Sequence, residues 1–198
     1  MKLPAEPIVY CISEGRANSE NFREVRDDIL EKIKNAAERG VNMFQIREKV
    51  LSADLLYDLT IGAVSAAGES VRVLVNDRAD IAMAAGAAGV HLPSRGLPAR
   101  ELRKHVPADM LIAVSTHSLQ EVKAAKDDGA DLVTFGPIFA SPGKGDGVGI
   151  AALAEICSAS GDLPVVALGG IDGGRINEVL RGGAFGFAAI RYLNELLS

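Results

Sequence analysis

The chain predicts a small, single-domain (β/α)8 TIM barrel spanning residues 1–198. Short apolar runs of the length of buried parallel strands alternate with segments whose apolar residues fall at helical spacing, and eight such units close a barrel. A weak repeat recurs at Gly40-Val41, Gly86-Ala-Ala-Gly-Val90, Gly129-Ala-Asp131 and Gly183-Ala-Phe-Gly186, each ending a helix and opening an even-numbered strand. The repeat unit is therefore two βα modules, whereas an open doubly wound sheet more often stops at about five or six strands. Finally, Gly169 and Gly170 close the seventh apolar run, where barrels commonly make a phosphate cup.

The elements follow in order. Ile8 to Ser13 is a β-branched run after Pro7 and reads as the first strand; Phe22, Val25, Ile29, Ile33 and Ala37 predict a helix over 20–39, ended by Gly40. The second strand is Asn42 to Ile46 and a helix covers 53–67. The third strand is Val71 to Val75, with a short helix over 78–86, and the fourth is Gly89 to Leu92. A helix carrying His105 follows Pro98, and the fifth strand is Leu111 to Val114. A helix over about 119–128 leads to the sixth strand, Asp131 to Phe135. A glycine-rich loop, 136–149, precedes a helix to about Ser158. The seventh strand begins at Pro164 and holds Val165 to Leu168. Ile176, Val179 and Leu180 mark a helix, the eighth strand is Phe185 to Ile190, and Tyr192 to Leu197 make a stunted last helix.

Composition narrows the function classes. A formal charge of −5 and the absence of any Lys/Arg run argue against a nucleic-acid footprint, so the expected partner is a small molecule. Cys11 and Cys157 lie in apolar elements without metal spacing, which fits buried, inert thiols in a reducing cytoplasm. No signal-peptide core and no apolar run near ~18 residues are present, so no membrane partner is expected. A typical barrel runs ~250 residues; a minimal one with a stunted last helix is consistent with a homodimer covering its exposed end or side.

In a barrel, chemistry belongs at the C-terminal ends of the strands. After the second strand, alternation in Gln45-Ile-Arg-Glu-Lys49 sends Gln45, Arg47 and Lys49 to one side and Ile46 to the other, and two cations on one face suit a phosphate or carboxylate. The alternative is a solvated strand end. Asn76-Asp77-Arg78, after the third strand, could serve the site or cap a helix, and for this trio alone capping is the better reading, since Asn and Asp are favoured there. Ser115-Thr-His-Ser118 follows the fifth strand, with Ser118 as a helix cap and His117 at the mouth, where an imidazole moves protons near neutral pH. His91 lies within a strand. Lys144 sits in the 136–149 loop, which either closes over a ligand or is merely mobile. The glycines at 169 and 170 either bind an anion through their N–H groups, together with the Ala189–Ile190 backbone, or only make a tight turn.

Across nearly its whole length the chain resembles the thiamine-phosphate synthase/TenI superfamily. The landmarks, in the family's order, are Gln45-Ile-Arg-Glu-Lys49, Asn76-Asp-Arg78, Gly89-Val-His-Leu92, Val114-Ser-Thr-His-Ser118, Gly129-Ala-Asp131, Phe135-Gly-Pro-Ile-Phe139, Ala167-Leu-Gly-Gly-Ile171 and Gly183-Ala-Phe-Gly186. The resemblance implies a small (β/α)8 barrel acting on a thiazole phosphate in thiamine synthesis. It also implies substrate contacts from Gln45, Arg47, Lys49, Asn76, Ser115, Lys144, Gly169, Gly170, Ala189 and Ile190. Synthases of the family join a pyrimidine pyrophosphate to the thiazole phosphate and hold Mg²⁺ with an Asp after the third strand and a second acid in a Gly-Gln-x-Asp segment. Asp77 matches the first, but the second is Pro93-Ser-Arg-Gly96, and the Thr-x-Thr-Lys motif is Ser141-Pro-Gly-Lys144.

Leu92-Pro-Ser94 and Gly145-Asp-Gly-Val-Gly149 resemble the thiazole tautomerase, or TenI-like, branch. That branch needs no metal or other cofactor and moves a proton on a carboxylated thiazole phosphate, with His117 at the position of its catalytic histidine. Arg191, placed at the end of the eighth strand where the family usually has a small residue, departs from both branches. The expectation drawn from these residues is a TenI-like tautomerase using His117 as general acid and base, insensitive to EDTA. Its alternatives are a thiamine-phosphate synthase, with Asp77 on Mg²⁺, and a non-catalytic regulatory barrel that binds a phosphate ligand.

Overall fold

A computed structural model describes residue 3, residues 7–141 and residues 145–198. Among the described residues the apolar runs form eight strands: β1 Ile8–Ile12, β2 Met43–Ile46, β3 Arg72–Asn76, β4 Gly89–Leu92, β5 Leu111–Thr116, β6 Leu132–Phe135, β7 Val165–Leu168 and β8 Gly186–Ala189. Each is parallel to the next, and β1 pairs with β8 (Ile8↔Gly186 to Cys11↔Ala189), which closes the barrel in sequence order. The helices between them are α1 Phe22–Ala36, α2 Ala53–Ala67, α3 Ala79–Ala84, α4 Ala99–Arg103, α5 Leu119–Asp127, α6 Gly149–Ser160, α7 Ile176–Arg181 and α8 Arg191–Leu197.

Strand alternation decides what fills the barrel. Ile8, Tyr10 and Ile12 of β1 meet Met43, Leu74, Ala113, Leu132, Val166 and Ala188 inside it. The opposite parity, including Phe44, Ile46, Val73, Val90, Ile112 and Val133, packs under the helices. Helix α1 turns Phe22, Val25, Ile29 and Ile33 to that outer core and its charged residues to solvent.

Most boundaries shift by one or two residues from those read in the sequence, and three shifts bear on the site. The fifth strand runs on to Thr116, whose hydroxyl donates to the Thr134 carbonyl at 2.9 Å and holds the strand end against β6. The eighth strand stops at Ala189, so Arg191 opens α8 rather than ending the strand. His105 lies in the turn after α4, outside the helix expected to carry it. Cys11 is buried and Cys157 half-buried. Burial pushes their thiols up to about 12 and about 11, so both stay protonated and unreactive near neutral pH. No described helix is long and apolar enough to cross a membrane.

Candidate active site

At the ends of β7 and β8 a cavity of about 540 Å³ is lined by Gly169, Gly170, Ala189 and Ile190, joined by Arg175 and Arg191. The backbone explains the paired glycines. Both sit at positive φ, +105° and +64°, and the β6–α6 loop lies against them: a side chain on Gly169 would come within 2.6 Å of the Pro137 Cα, and one on Gly170 within 2.7 Å of the Ala140 carbonyl oxygen. Phe139 N–H donates to the Gly169 carbonyl at 3.0 Å, which fastens that loop in place. The Gly170 N–H donates to no acceptor among the described residues. Tight turning and an open amide therefore coexist at this pair.

Behind the cup, buried Asn194 of α8 donates through its amide nitrogen to the carbonyls of Ile12, 2.8 Å, and Ile190, 2.7 Å, tying the β8 end to β1. Arg191 is exposed and lines the cavity; among the described residues it forms no ion pair, although Glu195 stands one turn on and lines the same cavity.

Below the mouth, the inward faces of β1, β2, β4, β5 and β6 carry a polar chain. Gln45 donates its amide to the Tyr10 hydroxyl at 3.1 Å, so that hydroxyl gives its own proton to His91 Nδ1 at 3.0 Å. The His91 ring then donates from Nε2 to Ser115 Oγ at 2.9 Å, with Thr134 Oγ1 at 3.5 Å. Full burial holds His91 down at about 3, with the nearby Arg47 charge adding to the shift, so the ring is neutral and this tautomer is maintained. Burial likewise pushes the Tyr10 phenol up, keeping it protonated. The chain leaves the Ser115 hydroxyl hydrogen available to whatever occupies the mouth.

At the rim, His117 is exposed and its ring Nδ1 lies 2.6 Å from the Gly136 carbonyl, which makes Nδ1–H the donor and leaves Nε2 without a partner among the described residues. Its backbone N–H donates to Glu121 at 2.6 Å, while Ser118 caps α5 by accepting from the Glu121 N–H at 3.2 Å. The expected Ser118 cap is thus present. Asn76-Asp77-Arg78 does not cap α3: the capping position falls on Arg78, which makes no side-chain cap bond and pairs with Asp80 instead. Asp77 is exposed at φ +61°, the sole non-glycine at positive φ among the described residues.

The face of Gln45, Arg47 and Lys49 holds only in part. Gln45 points into the barrel and Ile46 outward, but the strand ends at Ile46 and Lys49 lies exposed in a turn. Arg47 is half-buried, near enough to His91 to act on its charge, and its N–H donates to Ser13 Oγ at 2.8 Å. Lys144 falls outside the described residues.

The structure brings Gly169, Gly170, Ala189 and Ile190 together in one cavity, whereas Gln45, Asn76, Ser115 and His117 do not line it. Four participants escaped the sequence reading. Strand parity carried a signal for Tyr10 and His91, since both alternate with residues that pack outward under the helices. Glu48, buried and accepting from Gly15 N–H at 3.0 Å and Ala17 N–H at 2.7 Å, left no signal among its charged neighbours. Nor did Arg175, which precedes a short helix.

Comparison with known proteins bears on the fold and the family. A family profile described as thiamine monophosphate synthase matches residues 9–193. The chain is similar to a thiamine-phosphate synthase of Chlorobium limicola, 38% identical over 192 residues, covering 95% of this chain and 86% of the relative. It is similar also to that of Methanoculleus marisnigri, 41% identical over 159 residues, covering 78% of this chain and 75% of the relative. Among solved structures, the thiamine phosphate pyrophosphorylase of Pyrococcus furiosus superposes with a TM-score of 0.79 at 26% identity, covering 96% of this chain and 92% of that one. The chain belongs to the thiamine monophosphate synthase family.

Proposed function

We propose that the chain joins a pyrimidine pyrophosphate to a thiazole phosphate, as a thiamine-phosphate synthase. The observation that carries this reading is the division of the mouth. The glycine cup with Arg175 and Arg191 closes β7 and β8, while Arg47, Lys49, Asn76 and Asp77 follow β2 and β3. In a closed eight-stranded barrel wound in sequence order, β1 lies between those two groups, which therefore occupy separate sectors of the mouth. Two separated anion sites suit two anionic substrates, and the curated relatives quoted above carry the synthase name.

In this reading the Gly170 N–H and Arg191 hold the thiazole phosphate. Arg47 and Lys49, with Lys144 on sequence grounds, hold the pyrophosphate. Ser115, oriented by neutral His91, offers a hydrogen bond to a ring, and the thiazole nitrogen takes the carbon that the pyrophosphate leaves. Magnesium is implied by the family. Among the described residues no group of three or more His, Cys, Asp or Glu side chains could hold a metal ion. Mg²⁺ in phosphate sites is, however, often bound by one or two carboxylates plus substrate oxygens. Exposed Asp77 fits as the single protein carboxylate; when bound, the ion would neutralise charge on the leaving pyrophosphate.

A second reading, the thiazole tautomerase, is favoured by two observations: Pro93–Gly96 offers no carboxylate, and His117 presents a free Nε2 at the rim with its other nitrogen anchored. The test assays purified protein with both substrates plus Mg²⁺, and separately with the non-aromatic carboxylated thiazole phosphate alone. The expected outcome is thiamine phosphate formation abolished by EDTA. Metal-independent turnover in the second assay alone would install the tautomerase. Phosphate binding without turnover in either would leave a regulatory barrel.

A further inference from the structure

We propose that Arg175 is a positioning residue that sets the polarity of the cup, a role that rests on reading the cavity at Gly169–Gly170 as the phosphate site. Its Nη1 donates to the Gly170 carbonyl at 2.5 Å. The guanidinium carbon lies 4.5 Å from the centroid of the Phe139 ring, and Nε stands 4.0 Å from the Asp172 carboxylate. Three contacts from two loops thus fix one side chain in one place.

The consequence follows from peptide geometry. A trans peptide points its carbonyl and the next N–H in opposite directions, so the Gly170 carbonyl and the Ile171 N–H cannot both face the cavity. Gly170, at φ +64°, has no side chain to hinder rotation of that unit. A carbonyl turned into the cup would set its negative end against a phosphate; an N–H would attract it. Arg175 captures the carbonyl, and the Ile171 N–H, which donates to no acceptor among the described residues, is left on the other side. The stack on Phe139 holds the planar guanidinium in register, and a flexible ammonium would do this less well. Arg175 therefore makes the cup selective for an anion without having to touch the reacting atoms.

The test titrates the full chain, wild type, Arg175→Ala, Arg175→Lys and Phe139→Leu, with the thiazole phosphate and with its unphosphorylated alcohol, and records a melting curve for each. Wild type is expected to prefer the phosphate ester. Arg175→Ala should cut that preference by roughly tenfold or more while leaving the affinity for the alcohol unchanged. Arg175→Lys should lose less, because an ammonium still reaches a carbonyl, and Phe139→Leu, which removes the stack but keeps the carbonyl bond, should lose part of the preference and fall between wild type and Arg175→Ala. A wild-type preference retained in the folded arginine variants would overturn the proposal, as would an equal loss for both ligands, the mark of packing alone. If wild type binds ester and alcohol alike, the phosphate reading of the cup fails first and Arg175's role falls with it.

Discussion

Two histidines that look alike in sequence sit in opposite surroundings, His91 buried and His117 exposed. His91 is sealed in the barrel between Tyr10 and Ser115. Its folded pKa, about 3, lies below the ordinary 6.5. The unfolded chain therefore binds the proton that the folded one refuses. Above the ordinary value His91 contributes no pH dependence; as pH falls from there toward 3, stability should drop by up to about 1.4 kcal/mol per unit from this residue. Melting curves from pH 7 to 4 should show a shallower acid loss in His91→Gln than in wild type, and parallel curves would remove His91 as the cause. His117 tests a different point. As a general acid and base its loss costs about 10²–10⁴ in rate, whereas alkylation of a thiazole nitrogen makes no such demand. His117→Asn is expected to keep thiamine phosphate formation within about tenfold of wild type, and a larger fall in the folded variant would return the catalytic role to it.

At the scale of elements, the strand ends matter more than the strands. Helix α5 begins in a reciprocal arrangement in which Ser118 caps the Glu121 N–H and Glu121 takes the His117 N–H. The Ser118 cap was legible, because a hydroxyl just before a helix accepts one of its unpaired N–H groups. Ser118→Ala should cost about 1 kcal/mol in a denaturant titration, and an unchanged midpoint would show the cap to be idle. The preference of Asn and Asp for helix caps failed at Asn76-Asp77-Arg78. There the chain turns through φ +61° at Asp77, its N–H is taken by the His91 carbonyl at 2.9 Å, and Arg78 is captured by Asp80, so tertiary pairing overrides the local preference. The reach of β2 failed similarly: alternation places Gln45 but stops at Ile46, because buried Glu48 is drawn back to cap Gly15 and Ala17.

For the whole molecule, eight apolar runs and the two-module repeat were enough to foresee a closed parallel barrel, because each run had one geometry in which both faces could be buried. The tight approach at Gly169 and Gly170 was legible for a related reason, since two glycines after a strand mark a place where the backbone must pass close, and here it does so beside a Gly170 N–H that has no acceptor among the described residues. The polar chain from Gln45 to Ser115 was not foreseen. Each member alone is an ordinary buried polar residue, and only closure of the barrel brings strands distant in sequence to one axis. Closure also sets the β2–β3 ends and the β7–β8 ends in separate sectors of the mouth with β1 between them, the arrangement on which the two-substrate reading depends. The most direct measurement is a crystal structure of the protein soaked with thiazole phosphate, pyrophosphate and Mg²⁺. The account expects the thiazole phosphate within hydrogen-bond reach of the Gly170 N–H and the pyrophosphate against Arg47 and Lys49. Both anions crowded at one end of the mouth, or a side chain capping Gly170 in place of the phosphate, would contradict it.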